Sequence, residues 1–600
     1  MIPSRAPIKI LIRYPAIKPE SRHNVQDKRN IVIAMVLAAL ILFGWPYLTA
    51  MLFPDLVQER PAATANAAPG AAPGAATNGA TAAAPNVGGA AGQRDVTAVL
   101  ADSQRVPIET PTLRGSINLA NARIDDLVLV NYRQTVERNS PPVRLFSPSS
   151  TANAYFAGMG WSDGASRNLL PTTPWRLVAG TKLTPTTPIT LEQDNGQGQT
   201  FSLTLSVDNQ FMFKAVQRVT NRGAAAVAVS PYAYISRVGT SPDADSWTIH
   251  TGAMGVFNDK AEYINTSDID EAPGSALSFA NTQGWAGFTD KYWLSAVVPD
   301  SAHPATATIK RGAQGVYQAD FVSPAQQLAP GRMRETETRF FAGAKDTAIL
   351  DAYMDQGVTM FDHATDWGWF GMIAKPIFYL LDWLFKHIGN FGFAIMALTL
   401  IIRLLMFPIA QKQFKSMAAM RLVQPKVKAL QERYADDKPR QQQEMMALYK
   451  TEKINPLAGC LPVLIQIPIF YALYKSLMVT VEMRHQPFIG WIHDLSAPDP
   501  KHILNLFGLL DFTPPAFLGI GVLAVLLGVT MWAQFRLNPT PADPVQAQVM
   551  GIMPWMLMFV MAPFAAGLLV YWITNNLLAI AQQRLLYLRH PEMKEAVAAK

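Results

Sequence analysis

The 600-residue chain is poor in cysteine and in charge. Cys460 is its only cysteine, which excludes an intrachain disulfide and a cysteine metal cluster and argues against redox chemistry. Charged residues make up 16% of the sequence, against about 25% in soluble domains. No GxxxxGK[ST] run occurs, so the chain lacks the phosphate-binding loop of nucleotide hydrolases. We therefore expect no bound cofactor and no metal.

Half of the residues are hydrophobic, and many of them lie in long runs. The first run, residues 31–53, carries no charge and follows a basic segment, residues 1–30. It is long enough to span a hydrocarbon core of ~30 Å, whereas the apolar part of a cleaved signal peptide has about 7–15 residues. We predict an uncleaved signal anchor, transmembrane helix 1, preceded by a cytoplasmic N-terminal extension because basic flanks stay inside.

Two segments of different character follow the anchor. Residues 54–94 are mostly Ala, Gly, Pro, Thr and Asn, a composition that cannot build a core and predicts a disordered linker. Residues 95–345 contain many short alternating segments, such as FSLTLSV (Phe201–Val207), separated by turn residues such as DNGQGQ. This pattern predicts a β-sandwich domain. Because it follows the first span, we place it outside the cytoplasm.

The last part of the chain is helical and mostly apolar. Residues 346–390 include Trp367–Ile388, which mixes aromatic residues with three charges and suits a helix lying in the membrane interface. Residues 391–588 contain five more predicted spans. They run from Phe391 to about Ala410, Leu457 to about Val481, Pro515 to Phe535, Val549 to Met561, and about Ala565 to Leu588.

The distribution of charge predicts the orientation. The segment 411–455 has ten Lys or Arg against five acidic residues, and such an excess is typical of the cytoplasmic side. Six spans that start inside also end inside, so the short, mildly basic tail 589–600 should be cytoplasmic. Helix-forming runs in Met417–Tyr434 and Arg440–Glu452 predict a helical hairpin. Two interpretations of it stay open: a rigid connector, or a docking surface for cytosolic partners.

One charged residue lies inside an otherwise apolar run. Arg403 occurs in FGFAIMALTLIIRLLMF (Phe391–Phe407). A charge at the centre of a membrane helix costs about 2.5–3.5 kcal/mol on insertion scales, so it commonly marks a functional site. The alternative is that Arg403 lies near a helix end and extends to the lipid headgroups. The residues of this helix alone leave both interpretations open.

Six sequence runs, in order, resemble one protein family. They are LTLIIRLLMFP (Leu398–Pro408), SMAAMRLVQPKVKAL (Ser416–Leu430), QEMMALYKTEKINPLAGCLPVLIQIPIFYALY (Gln443–Tyr474), VEMRHQPFIGWIHDLSAPDP (Val481–Pro500), LNPTPADPVQAQVMGIMP (Leu537–Pro554) and GLLVYWITNNLLAIAQQ (Gly567–Gln583). Together they resemble the YidC membrane protein insertases of Gram-negative bacteria, within the Oxa/YidC/Alb superfamily. The resemblance implies six transmembrane helices, five of which surround a polar groove, and a large periplasmic β-supersandwich domain.

The resemblance also implies a function and partners. It implies an insertase and chaperone of the bacterial inner membrane, not an enzyme, acting alone or with the SecYEG translocon and its accessory SecDF. Nascent inner-membrane proteins and the lipid bilayer are the further partners, and the ribosome and targeting factors are expected at the hairpin. No specificity for nucleic acid is implied. Without a nucleotide motif, energy should come from substrate partitioning, the membrane potential or a partner.

Individual residues match the family pattern. Arg403 corresponds to the family's groove arginine, and Thr399 lies four residues earlier on the same helix face. Tyr571 and Trp572 correspond to an aromatic pair that is often two tyrosines, so Trp572 departs from the family, and plain core packing stays open for both.

Further candidates complete the predicted sites. The polar residues Gln466 and Asn575 within spans should face the groove or a neighbouring helix. The candidate docking residues of the hairpin are its basic ones: Lys426, Lys428, Arg433, Lys438 and Arg440.

Two other classes of protein remain as alternatives. An anion-binding transporter or channel would also place a cation within a six-span bundle, but the paired repeats of transporters are not visible. A periplasmic carbohydrate-active enzyme tethered by helices would need converging histidine and carboxylate side chains in the β domain. His250 and His303 are isolated in the sequence, and we interpret them as ordinary structural or surface histidines.

Overall fold

The computed structural model describes residues 94–164, 168–243, 249–300, 303–368, 370–434, 437–452, 461–510, 512, 519–537 and 544–589. All of these belong to one compact unit. The predicted N-terminal extension, the first span, nearly all of the linker and the tail beyond Arg589 lie outside the described residues.

Nineteen β-strands occur in the described residues. They are β1 (Arg105–Glu109), β2 (Leu113–Asn118), β3 (Arg123–Arg133), β4 (Pro142–Phe146), β5 (Tyr155–Ser162), β6 (Arg176–Ala179), β7 (Ile189–Asp194), β8 (Gln199–Val207), β9 (Met212–Asn221), β10 (Val227–Val238), β11 (Gly252–Phe257), β12 (Lys260–Ile264), β13 (Ala276–Thr282), β14 (Gly284–Thr289), β15 (Trp293–Pro299), β16 (Ala305–Arg311), β17 (Val316–Val322), β18 (Gln326–Leu328) and β19 (Met333–Ala344).

The strands form two antiparallel sheets that pack as a large sandwich. One sheet has the order β1-β2-β3-β5-β10-β17-β16-β13, with β4 beside β3 and β18 beside β10. The other has the order β12-β11-β14-β15-β19-β9-β8-β7-β6. Half of the consecutive strand pairs are neighbours within a sheet, for example β7 with β8 and β8 with β9, so hairpins alternate with longer connections between the sheets.

Alternation of side chains explains why these segments form strands. In β8 every second residue is buried from Gln199 to Val207, because successive side chains of a strand point to opposite faces. The sandwich core contains large side chains that are fully buried, among them Trp161, Trp285 and Phe340. The alternating pattern at Phe201–Val207 is therefore confirmed as a strand facing this core.

The remaining described chain is mainly helical. Two short helices belong to the strand region: α1 (Val96–Ala101) precedes the first strand, and α2 (Thr266–Glu271) lies between strands. The helices that follow the sandwich are α3 (Thr347–Asp355), α4 (Gly371–Ile388), α5 (Phe391–Leu405), α6 (Phe407–Arg433), α7 (Lys438–Thr451), α8 (Leu461–Val479), α9 (Val522–Leu537), α10 (Pro544–Met561) and α11 (Ala566–Arg589). Searched over the described part of the chain, none of these helices has both the length and the apolar character needed to cross a membrane. The six predicted spans are accordingly not confirmed.

Helix α3 packs within the sandwich and precedes Trp367–Ile388, the segment for which an interfacial helix is predicted. Its residues Leu350 and Tyr353 are buried in the sandwich core. The Tyr353 hydroxyl donates to Asp208 Oδ2 at 2.6 Å and accepts from the Phe211 backbone N–H at 3.2 Å. The β-domain core therefore extends beyond the predicted boundary at residue 345.

Helix α4 retains the mixed character that the sequence indicates. Met372 and Trp383 are exposed, at 90% and 54%. Lys375 pairs with Asp362 at 2.9 Å, and Lys386 pairs with Asp382 at 2.6 Å. An apolar exposed surface beside paired charges suits a position at a membrane interface, and we propose that position for α4 below.

A second core joins the helices. It contains Leu381 of α4, Ile395 and Leu398 of α5, Leu473 of α8 and Leu527 of α9, together with residues of α11. The buried residues of α5 recur with helical spacing from Phe391 to Thr399, as expected for a helix with one inward face.

Helix α5 ends earlier than the predicted span to Ala410. It stops at Leu405, and Met406 separates it from α6. Pro408 explains the break, because proline has no N–H to continue the ladder and its ring clashes with the preceding turn.

Candidate functional site

Arg403 lies in the last turn of α5, where its guanidinium reaches α11. Its Nε donates to Asn575 Oδ1 at 2.8 Å, and its Nη2 donates to the Asn575 backbone carbonyl at 3.2 Å. Nη1 takes no part in either bond. A cation in the last turn of a helix is also favoured by the helix dipole. Arg403 therefore lies near a helix end, as the alternative of a side chain extending to the lipid headgroups requires. Its guanidinium is nevertheless held by a specific partner, Asn575.

Helix α11 supplies the second half of the site. Tyr571 and Asn575 lie one turn apart and therefore share a face. Tyr571 is 1% exposed and Asn575 is 8% exposed, and Gln466 of α8 donates from Nε2 to the Tyr571 hydroxyl. Four of the six predicted groove residues, Arg403, Gln466, Tyr571 and Asn575, thus form two hydrogen-bonded pairs that join α5, α8 and α11.

The other two predicted groove residues are placed differently. Trp572 stacks on Phe470 with ring centroids 5.0 Å apart, a contact that packs α11 against α8. Thr399 is 1% exposed, and its hydroxyl donates to the Ile395 carbonyl at 2.6 Å. A threonine hydroxyl bonded within its own helix is already satisfied. The geometry therefore does not bring the Thr399 hydroxyl to Arg403.

The charge of Arg403 has no counter-ion in the described part of the chain. Asn575 is neutral, and the one titratable neighbour that acts on Arg403 is Tyr571. A half-buried guanidinium held by a neutral amide keeps its full charge for an incoming group. The arrangement can therefore attract an anionic group into the space beside α5 and α11.

The predicted hairpin forms from α6 and α7. Val423 and Val427 are buried against Met445, Leu448 and Tyr449 of α7. Tyr434 between the helices lies beside two guanidinium groups, those of Arg433 at 5.7 Å and Arg440 at 5.5 Å.

The candidate docking residues of the hairpin are mostly exposed. Lys426 bridges to Glu452 at 2.6 Å, so part of its charge stabilises the hairpin itself. Lys428, Arg433 and Arg440 are exposed, and the side chain of Lys438 lies outside the described residues. The hairpin therefore presents a basic surface.

A buried ion pair that the sequence interpretation missed connects α8 to the β domain. Lys475 is 1% exposed, and its Nζ lies 3.0 Å from Asp366 Oδ2. Asp366 in turn accepts from the backbone N–H of His250 at 3.1 Å. Lys475 is a cation inside an apolar run, as Arg403 is. The criterion that singled out Arg403 in the sequence would therefore also have identified Lys475.

Further buried charges continue from this pair into the sandwich. Lys345 is 1% exposed and donates to Thr289 Oγ1 at 2.9 Å. Burial lowers the pKa of Lys345 to about 8, although Asp290 and Asp366 oppose this shift. Asp290 also pairs with buried Arg237 at 2.7 Å. The β domain and the helices are thus joined by charges as well as by packing.

A buried carboxyl group lies at the same junction. Glu482 Oε1 accepts from the Thr347 backbone N–H at 2.8 Å, while Oε2 is buried and has no hydrogen-bond partner among the described residues. Burial, reinforced by the charge of Asp346, raises the pKa of Glu482 to about 7. Asp346 itself has its pKa raised by burial.

Glu482→Gln should stabilise the protein much more at high pH than near pH 5. The unfolded carboxyl group titrates near pH 4.3, at about its reference pKa. Because the folded pKa is raised to about 7, the native state retains a proton that the unfolded chain has lost. Wild-type stability therefore falls as pH rises from about 4.5 to 7. Glutamine cannot ionise, so it removes a penalty of up to roughly 3–4 kcal/mol.

Melting temperatures of the purified protein between pH 5 and pH 8.5 measure this effect. Glu137→Gln, at an exposed glutamate of the β domain, is the matched control for replacing a glutamate that is not buried. A Glu482→Gln difference of equal size at both ends of the range would contradict the assignment.

The histidines of the β domain have local partners. His250 Nε2 lies 2.9 Å from the Ala253 carbonyl oxygen, and His303 Nδ1 lies 3.0 Å from Asp300 Oδ2. Over the described residues, no group of three or more histidine, cysteine or acidic side chains is arranged to hold a metal ion.

Comparisons with known proteins cover most of the chain. The family profile described as YidC periplasmic domain matches residues 105–380, and the one described as 60Kd inner membrane protein matches residues 383–594. A protein of Zymomonas mobilis named membrane protein insertase YidC is 46% identical over 574 residues, covering 95% of this chain and 96% of its own. A protein of Sinorhizobium medicae with the same name is 44% identical over 580 residues, covering 94% and 96%.

A solved structure is also similar. It is titled as an active YidC insertase crystal structure with the first transmembrane domain resolved. It shares 17% sequence identity with this chain at a TM-score of 0.35, and the match covers 80% of this chain and 92% of that one.

Proposed function

The chain belongs to the YidC family of membrane protein insertases, and we propose that its insertase site is the space beside Arg403 where α5, α8 and α11 meet. As a family member it inserts nascent membrane proteins into the inner membrane, it is not an enzyme, and its β-sandwich is a periplasmic domain. The observation that carries the proposal is the guanidinium of Arg403, held by neutral Asn575 at 2.8 Å and 3.2 Å.

We propose a six-span topology with both termini in the cytoplasm. The described helices α5, α8, α9, α10 and α11 would supply the second to sixth spans, and residues 31–53 the first. The excess of Lys and Arg in residues 411–455 supports a cytoplasmic hairpin. Helix α4, with its exposed Trp383 and paired charges, would lie along the periplasmic interface.

The charge at Arg403 would assist the passage of an acidic tail. A single-span substrate must carry a short polar segment across lipid, and a cation part of the way across shortens the unassisted path. The membrane potential acts in the same direction, because it moves each negative charge outward with about 2.3 kcal/mol per 100 mV. Attraction at Arg403 would therefore matter most for substrates with acidic tails.

The apolar segment of the substrate would then leave toward the lipid along α8 and α10. Ile467 of α8 is 53% exposed, and α10 exposes Trp555 at 42% and Phe559 at 50%. An apolar substrate helix can pack on these side chains before lipid replaces them. Its burial in the bilayer, at about 25 cal/mol per Å² of apolar surface, would supply the net driving force.

The hairpin of α6 and α7 would receive cytosolic partners. We propose that the ribosome and targeting factors contact its exposed basic residues Lys428, Arg433 and Arg440. Cooperation with SecYEG and SecDF belongs to the same proposal.

Photocrosslinking tests the location of the site. Ile467 and Leu577 are both 53% exposed, but Ile467 adjoins Gln466, whereas Leu577 is rotated by about 200° from Asn575 at 100° per residue. A photoreactive residue at Ile467 should crosslink to a ribosome-arrested single-span substrate, and one at Leu577 should crosslink far less. Equal crosslinking at the two positions would place the substrate elsewhere.

A further inference from the structure

A short loop before α9 exposes an unusual amount of apolar surface. We call residues 503–510 together with Phe512 the apolar loop. All of its leucine, isoleucine and phenylalanine side chains are exposed, from 40% at Ile503 to 83% at Leu509. Residues 503–510 include no charged residue. Contiguous exposed apolar side chains on a soluble surface indicate an interaction site.

The backbone of the apolar loop is largely satisfied without water. The N–H of Ile503 donates to the Ile520 carbonyl at 3.0 Å, and the N–H groups of residues 506–510 donate to carbonyls within residues 502–506 at 2.8–3.3 Å. Asn505 Oδ1 accepts from the Gly508 N–H at 3.0 Å. A segment that enters lipid must satisfy its backbone internally, whereas a loop in water has no such requirement.

Backbone strain keeps the apolar side chains outside. Leu506 and Phe507 have positive φ angles of 49° and 62°, a left-handed conformation that is unfavourable for both residue types. Both side chains are about half exposed, at 51% and 49%. The loop therefore adopts a costly backbone that directs apolar groups away from the protein.

The base of the apolar loop is polar and attached to the start of α9. Lys501 Nζ donates to the Phe507 carbonyl at 2.7 Å, and the Val522 N–H donates to the Lys501 carbonyl at 3.1 Å. Beyond this base, α9 exposes Leu526, Val529 and Trp532, each at 40–44%. The apolar surface of the loop thus adjoins that of a helix which we have placed in the bilayer.

We infer that the apolar loop inserts into the periplasmic leaflet of the lipid bilayer and anchors the periplasmic end of α9. The occupant of this surface is lipid, because the loop combines exposed apolar side chains, an internally bonded backbone and a cationic residue at its base. Such an arrangement is typical of segments that lie in the membrane interface. The inference rests on the proposed placement of α9 as a span.

Fluorescence quenching in nanodiscs tests the inference with the full-length protein. Single cysteines replace Leu509, Val529 or Asn209 in a Cys460→Ser background, and each is labelled with an environment-sensitive dye. Val529 is the control for α9 in the bilayer, and exposed Asn209 of the β domain is the control for water. At Leu509 we expect blue-shifted emission and loss of fluorescence with nitroxide-labelled lipids, as at Val529, and protection from aqueous iodide.

The outcomes separate this inference from the proposed function. Quenching of Leu509 by iodide but not by lipid nitroxide, with Val529 quenched by lipid, would overturn the inference alone. Loss of lipid quenching at both positions would overturn the placement of α9 as well. Protection of Leu509 from both quenchers would mean that protein covers the loop, and disulfide-linked dimers of the Leu509→Cys variant would then identify a second copy as the occupant.

Discussion

Replacing Arg403 with alanine or glutamate is expected to block the insertion of substrates with acidic tails while sparing matched substrates with neutral tails. In an environment of effective dielectric ~20, two unit charges at ~4 Å interact by roughly 4 kcal/mol before desolvation. This is comparable with the cost of bringing one carboxylate part of the way into a bilayer. Loss of this attraction should therefore block insertion only when the substrate must carry a carboxylate across the bilayer.

The hydrogen bonds of Arg403 refine this expectation. Arg403→Lys keeps the charge but loses the fixed geometry of the two bonds to Asn575, so we expect partial activity toward acidic tails. Asn575→Asp keeps the shape of its partner and supplies a counter-charge beside the guanidinium. It should reproduce the selective loss seen with Arg403→Ala, although Arg403 itself is unchanged.

Insertion of paired single-span substrates, differing only in the charge of the tail, measures this effect in proteoliposomes or depleted cells. If Arg403→Ala inserts both tails equally well, Arg403 is an interfacial anchor that acts on lipid and not on substrate. The same result with Asn575→Asp would show that the charge at this position is not used.

Asp366→Asn is expected to destabilise the junction between α8 and the β domain by about 3 kcal/mol, because it leaves a buried cation without its counter-ion. Burial alone would raise the pKa of Asp366, but the charge and hydrogen bond of Lys475 outweigh burial and lower it. The carboxylate is therefore ionised at neutral pH. Asparagine retains an acceptor for the Gly368 N–H, which now lies 2.9 Å from Oδ1. It replaces Oδ2, so the loss includes the hydrogen bond from the His250 N–H as well as the charge.

Thermal unfolding of the purified protein gives the readout, and the double variant Lys475→Met, Asp366→Asn is the control. Removing both charges should recover most of the stability that the single substitution loses, because replacing a buried pair by apolar groups is often nearly neutral. Ion pairs at the protein surface contribute much less to stability. Lys386→Met, which breaks the partly exposed pair with Asp382, should therefore change stability by less than about 1 kcal/mol. An unchanged melting temperature for Asp366→Asn would show that the pair is not needed.

The sequence predicts those features that depend on neighbouring residues. The alternation in β8 identifies a strand because one face of each strand is buried. The hairpin is also local, since the apolar residues of α6 and α7 are close in the chain and meet across a short connection. The end of α5 at Leu405 was missed although its cause, Pro408, is visible in the sequence.

Contacts between distant residues were beyond such reasoning. The sequence singles out Arg403 as a cation in an apolar run, but its bond to Asn575 joins residues 172 positions apart. Lys475 and Asp366 are separated by 109 positions, and the role of α3 in the sandwich core depends on how a whole sheet packs. Helical spacing places Thr399 one turn before Arg403, but it does not show where the hydroxyl points. In the structure the Thr399 hydroxyl donates to the Ile395 carbonyl of its own helix.

The sequence by itself therefore determined the class of the protein, a membrane protein with a β domain. Its apolar runs, its charge bias and its alternating segments each reflect whether a short segment faces lipid, water or a protein core. Its family could also be recognised from the order of its motifs. Only the tertiary structure decided which side chains meet, namely Arg403 with Asn575, Lys475 with Asp366, and Glu482 with Thr347. The physical reason is that a pairing between elements depends on the packing of both, and no local pattern contains that information.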